Sequence, residues 1–124
     1  MEHNMVSWFE IPVNDMDKAK AFYEVVFNVK IDIQDFGGIL MGWFPFDEKK
    51  PGATGTLIKQ DSYIPSQEGT LVYFNCEDVA NEISRVEAAG GKVLQPKTEI
   101  SPEHGCMAVF LDTEGNRIAL HSNA

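Results

Sequence analysis

No stretch of this sequence stays apolar for anything near the ~20 residues that a membrane-spanning helix needs. The N-terminus, Met1-Glu2-His3-Asn4-Met5, lacks a basic segment leading into an apolar one, so no secretory signal is visible and a cytoplasmic location is expected. Basic residues are scarce: 10 Lys and Arg stand against 19 Asp and Glu, a formal net charge of −9. Such a balance opposes binding to a phosphate backbone, which is held by clustered Lys and Arg, so nucleic acid is not an expected partner. The excess acid favours solubility and mildly attracts cationic ligands. Cysteine is nearly missing. Cys76 and Cys106 form no Cys-x-x-Cys pair, and they read as buried free thiols rather than a disulfide or a zinc site. There is no phosphate-cradling Gly-rich loop and no nucleophile elbow; Gly37-Gly38 and Gly90-Gly91 read as turns.

What is present is an ordinary globular composition, 44% apolar and 23% charged, over 124 residues, enough for one core and one domain. Met5 to Val13 reads as a strand, with Phe9, Ile11 and Val13 on one face and Trp8 and Glu10 on the other. Asn14-Asp15 offers a helix N-cap. Met16, Ala19, Phe22, Tyr23, Val26 and Phe27 follow at helical spacing, which predicts a helix over 16–27 closed by Asn28. Short strands are expected at 29–34, 39–46 and 54–60, and a linker over 61–69. The pattern then restarts. A strand over 70–76, an N-cap at Asp78, a helix ending at Ala89-Gly90-Gly91, and strands at 92–95, 107–111 and 117–121 complete it. The halves align at one offset of 63 residues, which carries Trp8 onto Leu71, Asp15 onto Asp78, Gly52 onto Gly115 and Leu57 onto Leu120. The expected order is βαβββ twice, with half-repeats of about 5–60 and 70–121.

Three segments in this order resemble the vicinal oxygen chelate superfamily of glyoxalases, bleomycin-resistance proteins and extradiol dioxygenases. They are Val13-Asn14-Asp15-Met16 leading to Phe22-Tyr23, then Ala88-Ala89-Gly90-Gly91-Lys92-Val93, and above all Asp112-Thr113-Glu114-Gly115-Asn116-Arg117-Ile118. In the last, Thr113 replaces the family's usual proline. The resemblance implies an α+β fold of two tandem βαβββ modules, a cupped mixed sheet with helices on its convex face, and a pocket in the concavity. On that reading Phe9, Ile11, Val13, Val72, Phe74, Cys76, Ile118 and Leu120 face the helices. Trp8, Glu10, Leu71, Tyr73, Asn75, Arg117, Ala119 and His121 line the cup.

Metal-dependent members of the family place a His, Glu or Gln on each of four strands. The corresponding positions here are Trp8, Thr56, Leu71 and Ala119. An indole, a hydroxyl, an isobutyl group and a methyl group do not make a ligand set, so no metal and no other cofactor is expected. Glu10 and His121 remain as a candidate acid–base couple, since a carboxylate and an imidazole can exchange a proton near neutral pH. Both could equally meet water at the open side of the sheet, or pair with Arg117. Trp8, Tyr73, Asn75, Arg117 and the loop residue His104 are the candidate ligand contacts. The leading expectation is a small organic molecule bound in the cup, with metal-independent lyase or isomerase chemistry open. One alternative is a non-catalytic, dimeric protein that sequesters a drug or metabolite, as bleomycin-resistance members do. Another is a metal-dependent isomerase or dioxygenase of the lactoylglutathione lyase kind. A homodimer is expected from the resemblance.

Overall fold

Asp15 and Asp78 begin the two helices, as their matched positions in the repeat predict. In the computed structural model, which describes residues 3–124, both have extended backbones and accept a backbone N–H with the side chain. The Asp15 carboxylate takes the N–H of Lys18 at 3.1 Å, and that of Asp78 takes the N–H of Ala80 at 2.9 Å. Helix α1 runs Met16–Phe27 and buries Met16, Ala19, Phe22, Tyr23 and Val26, the predicted stripe. It stops where Asn28 turns left-handed, at φ 54°.

Helix α2 is shorter than its sequence suggests. It spans only Val79–Ile83, and the chain continues to Gly90 as a run of turns. The Ser84 hydroxyl donates to the Asn81 carbonyl at 2.7 Å, and the backbone N–H groups of Arg85 and Val86 reach carbonyls three residues back. A serine that bonds locally competes with the i−4 ladder, so the helix tightens and ends there. Val79 and Val86 still reach the core.

The first half holds β1 (Phe9–Pro12), β2 (Asp32–Phe36), β3 (Ile39–Trp43) and β4 (Gly55–Lys59); the second holds β5 (Val72–Asn75), β6 (Lys92–Ser101), β7 (Gly105–Leu111) and β8 (Arg117–Ser122). Met5 to Trp8 lies outside the first strand and is exposed, and the segment 61–69 carries no strand. Each half forms a four-stranded mixed sheet, in the orders β1-β4-β3-β2 and β5-β8-β7-β6. The repeat extends to individual partners. β1 pairs parallel with β4 as Phe9↔Gly55 to Pro12↔Ile58, and β5 with β8 as Val72↔Ile118 to Asn75↔His121, every number raised by 63.

The halves share one core, in which Ile11, Val13 and Leu57 of the first half and Phe110, Ile118 and Leu120 of the second pack with the helix stripes. Phe9, Phe74 and Cys76, expected on this face, pack against it half-buried. A polar clasp closes the joint. Tyr23 of α1 donates its phenol proton to Asp112 at 2.6 Å, and Asn116 donates to Asp112 at 3.0 Å and to the Pro12 carbonyl at 2.8 Å. The Glu114 carboxylate accepts the backbone N–H groups of Asn14 and of Asp15, the latter at 2.7 Å, beside the α1 N-terminus. Burial first, and the Asp112 charge second, push the Tyr23 phenol well above its ordinary range. The terminal Asp-Thr-Glu-Gly-Asn motif is therefore a structural device that docks one half on the other.

Candidate functional site

Strand parity decides what lies opposite the helices. A methyl group at Gly42 would meet Met16 of α1 and Leu57, so the Gly42–Leu57–Ile11 row faces α1. The adjacent row therefore turns away from it, and register places Asp32, Trp43, Thr56 and Glu10 side by side there. Thr56 is fully buried, and neither its hydroxyl nor the buried indole N–H of Trp43 has a hydrogen-bond partner. Trp8 sits edge-on to Trp43, with ring centres 4.6 Å apart. Trp43 was not singled out from the sequence. Its place next to Thr56 depends on the β3–β4 register, which the sequence does not show directly.

The corresponding row of the second sheet is apolar at its centre, because Ala119 and Val109 take the places next to Tyr73. Between β1 and β5, Glu10 and Arg117 line one cleft of about 290 Å³. Ile11, Val72 and Ile118 supply apolar wall, and Ser66 and Glu68 of the connecting segment close one side. Arg117 donates from Nη2 to the Gly69 carbonyl at 3.1 Å, while its buried Nε has no partner. Two exposed carboxylates, those of Glu10 and Glu68, and one anchored guanidinium with a donor to spare thus share a partly apolar cleft. That is the usual chemistry of a small-molecule site.

The expected Glu10–His121 couple is not assembled. His121 Nε2 lies 2.5 Å from the His104 carbonyl, and no ion pair joins the imidazole to Glu10. Both residues have the parity of the same face, but they belong to different sheets, and a local backbone acceptor already holds the imidazole. His104 is exposed on the turn before β7, with Nδ1 2.9 Å from the Ser101 hydroxyl. Tyr73 and Asn75 line a second cavity rather than the cleft of Glu10 and Arg117. Trp8 lines neither.

The four positions matching the family's metal ligands do not fit a metal. Trp8 is aromatic, Thr56 offers one neutral hydroxyl, Leu71 is aliphatic, and Ala119 is a buried methyl group. No group of three His, Cys, Asp or Glu side chains converges among the described residues.

The model of the Glyoxalase/Bleomycin resistance protein/Dioxygenase superfamily matches residues 5–120. The chain belongs to that superfamily. A glyoxylase-like domain-containing protein of Didymella fabae is 28% identical over 124 residues, covering 95% of this chain and 93% of that protein. TnmS3, an antibiotic binding protein from Streptomyces sp. CB03234, superposes with a TM-score of 0.67 at 25% identity, covering 100% of this chain and 99% of its own. Glyoxalase I from Zea mays superposes with a TM-score of 0.70 at 18% identity, which speaks for the fold alone. The present chain covers 45% of the maize enzyme's length, so it corresponds to less than half of that protein. Within the superfamily, this member keeps the paired modules and departs at all four metal-ligand positions.

Proposed function

We propose that the protein binds a small organic molecule, without a metal, in the cleft between its two sheets, and that it works in the cytoplasm as a homodimer. The observation that carries this reading is the convergence of Glu10 and Arg117, one from each half, on a single cleft with apolar walls. The Arg117 guanidinium suits a carbonyl or carboxylate oxygen of the ligand, and the Glu10 carboxylate suits a donor group. The antibiotic-binding relative favours sequestration over turnover as the use of this cleft. Catalysis at Glu10 would proceed without His121, whose imidazole is held at the His104 carbonyl. Exposed Val6 and Phe46 on a shallow concavity supply apolar surface for a second copy.

A fragment screen followed by amide chemical shifts tests the site. Ligands found should perturb Glu10, Val72 and Arg117, and Arg117→Met or Glu10→Gln should weaken them by about 1–3 kcal/mol with folding intact. Hits that perturb neither strand edge, or that are indifferent to both substitutions, would discard the cleft as the site. Conversion of a bound ligand, lost about 10²–10⁴-fold in Glu10→Gln, would mark an enzyme; unchanged ligand would mark a binder. Sedimentation of the purified protein decides the homodimer.

A further inference from the structure

At the opposite end of the seam between β1 and β5 lies a second cavity of about 300 Å³, sharing only Phe9 with the cleft described above. Its wall is aromatic. The Phe74 ring lies 4.7 Å from Phe27, 5.4 Å from Phe9 and 5.4 Å from Phe44, centre to centre, and the half-exposed Tyr73 flanks them. Among the residues lining it, Glu82 of α2 alone carries a formal charge.

The Glu82 carboxylate is held but not satisfied. One of its oxygens is buried without a hydrogen-bond partner. The Arg85 guanidinium stands 3.9 Å from the other, beyond hydrogen-bond range, because its Nε and Nη2 both donate to the Val26 carbonyl, at 2.9 and 2.7 Å. The neighbouring Cys76 thiol brings no cation. Burial, then the Glu82 charge and a hydrogen bond to that carboxylate, push the thiol up to about 12, so it stays protonated and offers Glu82 only a weak, neutral S–H donor. A half-buried carboxylate in this position calls for a strong donor, and an ammonium N–H adds Coulomb attraction to the charge-assisted hydrogen bond that a carboxylate accepts. The faces of the surrounding rings are negative and favour a cation. The chain's net charge of −9 works in the same direction and disfavours an anion.

We propose that this cavity binds an organic ammonium ion: a protonated amine that donates N–H to Glu82 and lodges its apolar part among Phe9, Phe27, Phe44 and Phe74. The site is separate from the Glu10–Arg117 cleft and does not depend on what that cleft binds.

Titration of the whole protein with 2-phenylethylammonium and with its neutral counterpart 2-phenylethanol tests this, read by calorimetry and by amide shifts. The ammonium ion should bind about tenfold or more tightly than the alcohol. Its shifts should centre on Asn75 and Glu82 and leave Glu10 and Arg117 unmoved. Glu82→Gln should bring the ammonium ion down to the alcohol's affinity and leave the alcohol's affinity unchanged. Equal affinity for the two probes, shifts centred on Glu10 and Arg117, or no saturable binding of the ammonium ion overturns the proposal. The two-probe comparison uses the unaltered chain, so it decides the matter even if Glu82→Gln folds poorly.

Discussion

The two halves of this protein carry the same plan with unequal investment. Their parallel strand pairs superpose residue for residue at an offset of 63, and each helix begins on a capping aspartate. Beyond that they diverge. The first half spends twelve residues on α1, which delivers Phe22, Tyr23 and Val26 to the core. The second holds a five-residue α2 but has longer strands, with β6 running ten residues and slipping register three times against β7. Such bulges bend and twist a strand. A repeat thus conserves the geometry where the halves meet and lets the periphery drift, because only the meeting edges and the shared core constrain both copies.

The sharpest way to break the comparison is at its matched centres. Leu57 and Leu120 are equivalent and both fully buried in one core. Leu57→Ala and Leu120→Ala should each cost about 2–5 kcal/mol, with one unfolding transition for the whole chain. Two separate transitions in calorimetry would show that the halves fold independently.

A smaller effect tests the clasp. Tyr23→Phe removes the phenol that the first half donates to Asp112 of the second, and should cost about 1–3 kcal/mol by leaving a buried acceptor short of a donor. The sign with pH follows from the raised phenol. The folded state favours the protonated form, so this contribution is complete below the ordinary value of 10 and fades as pH rises toward the raised one. Denaturant melts should show the parent protein losing its advantage over Tyr23→Phe in that alkaline window. A constant difference would contradict it.

The mildest test is chemical and concerns the second half alone. With its thiol pushed from 9.0 to about 12, Cys76 should carry about 10³-fold less thiolate near pH 8 than an ordinary cysteine. Peptide mapping after timed iodoacetamide treatment should find Cys76 at least about tenfold slower in the folded chain than in the denatured one. Equal rates would mean that Glu82 and burial do not hold this thiol neutral, which would also loosen the picture of the aromatic cavity.

Much of this organisation is legible in the sequence because it is local. The stripe from Met16 to Val26 follows from helical spacing, and the caps at Asp15 and Asp78 follow from their side-chain oxygens. The end of α2 is missed because periodicity counts apolar positions, whereas the helix stops on a serine hydroxyl bonded to its own backbone. The candidate site is legible only in part. Parity puts Glu10 and Arg117 on one face, and both line a single cleft. The same reasoning joins Glu10 to His121, and there it fails, since parity knows nothing of which sheet a strand enters or which carbonyl lies within reach of a side chain.

The amino-acid sequence by itself determined the helix starts, the inward faces, the offset between halves and the loss of the metal ligands, because each depends on residue type at a fixed local spacing. The tertiary structure alone decided that Asp112, Glu114 and Asn116 serve as a clasp and that Trp43 stands beside Thr56. It also divided the aromatic and charged residues between two cavities at opposite ends of one seam. Those outcomes depend on contacts between residues as far as 104 positions apart. Only the docking of one half on the other brings such residues within hydrogen-bond reach.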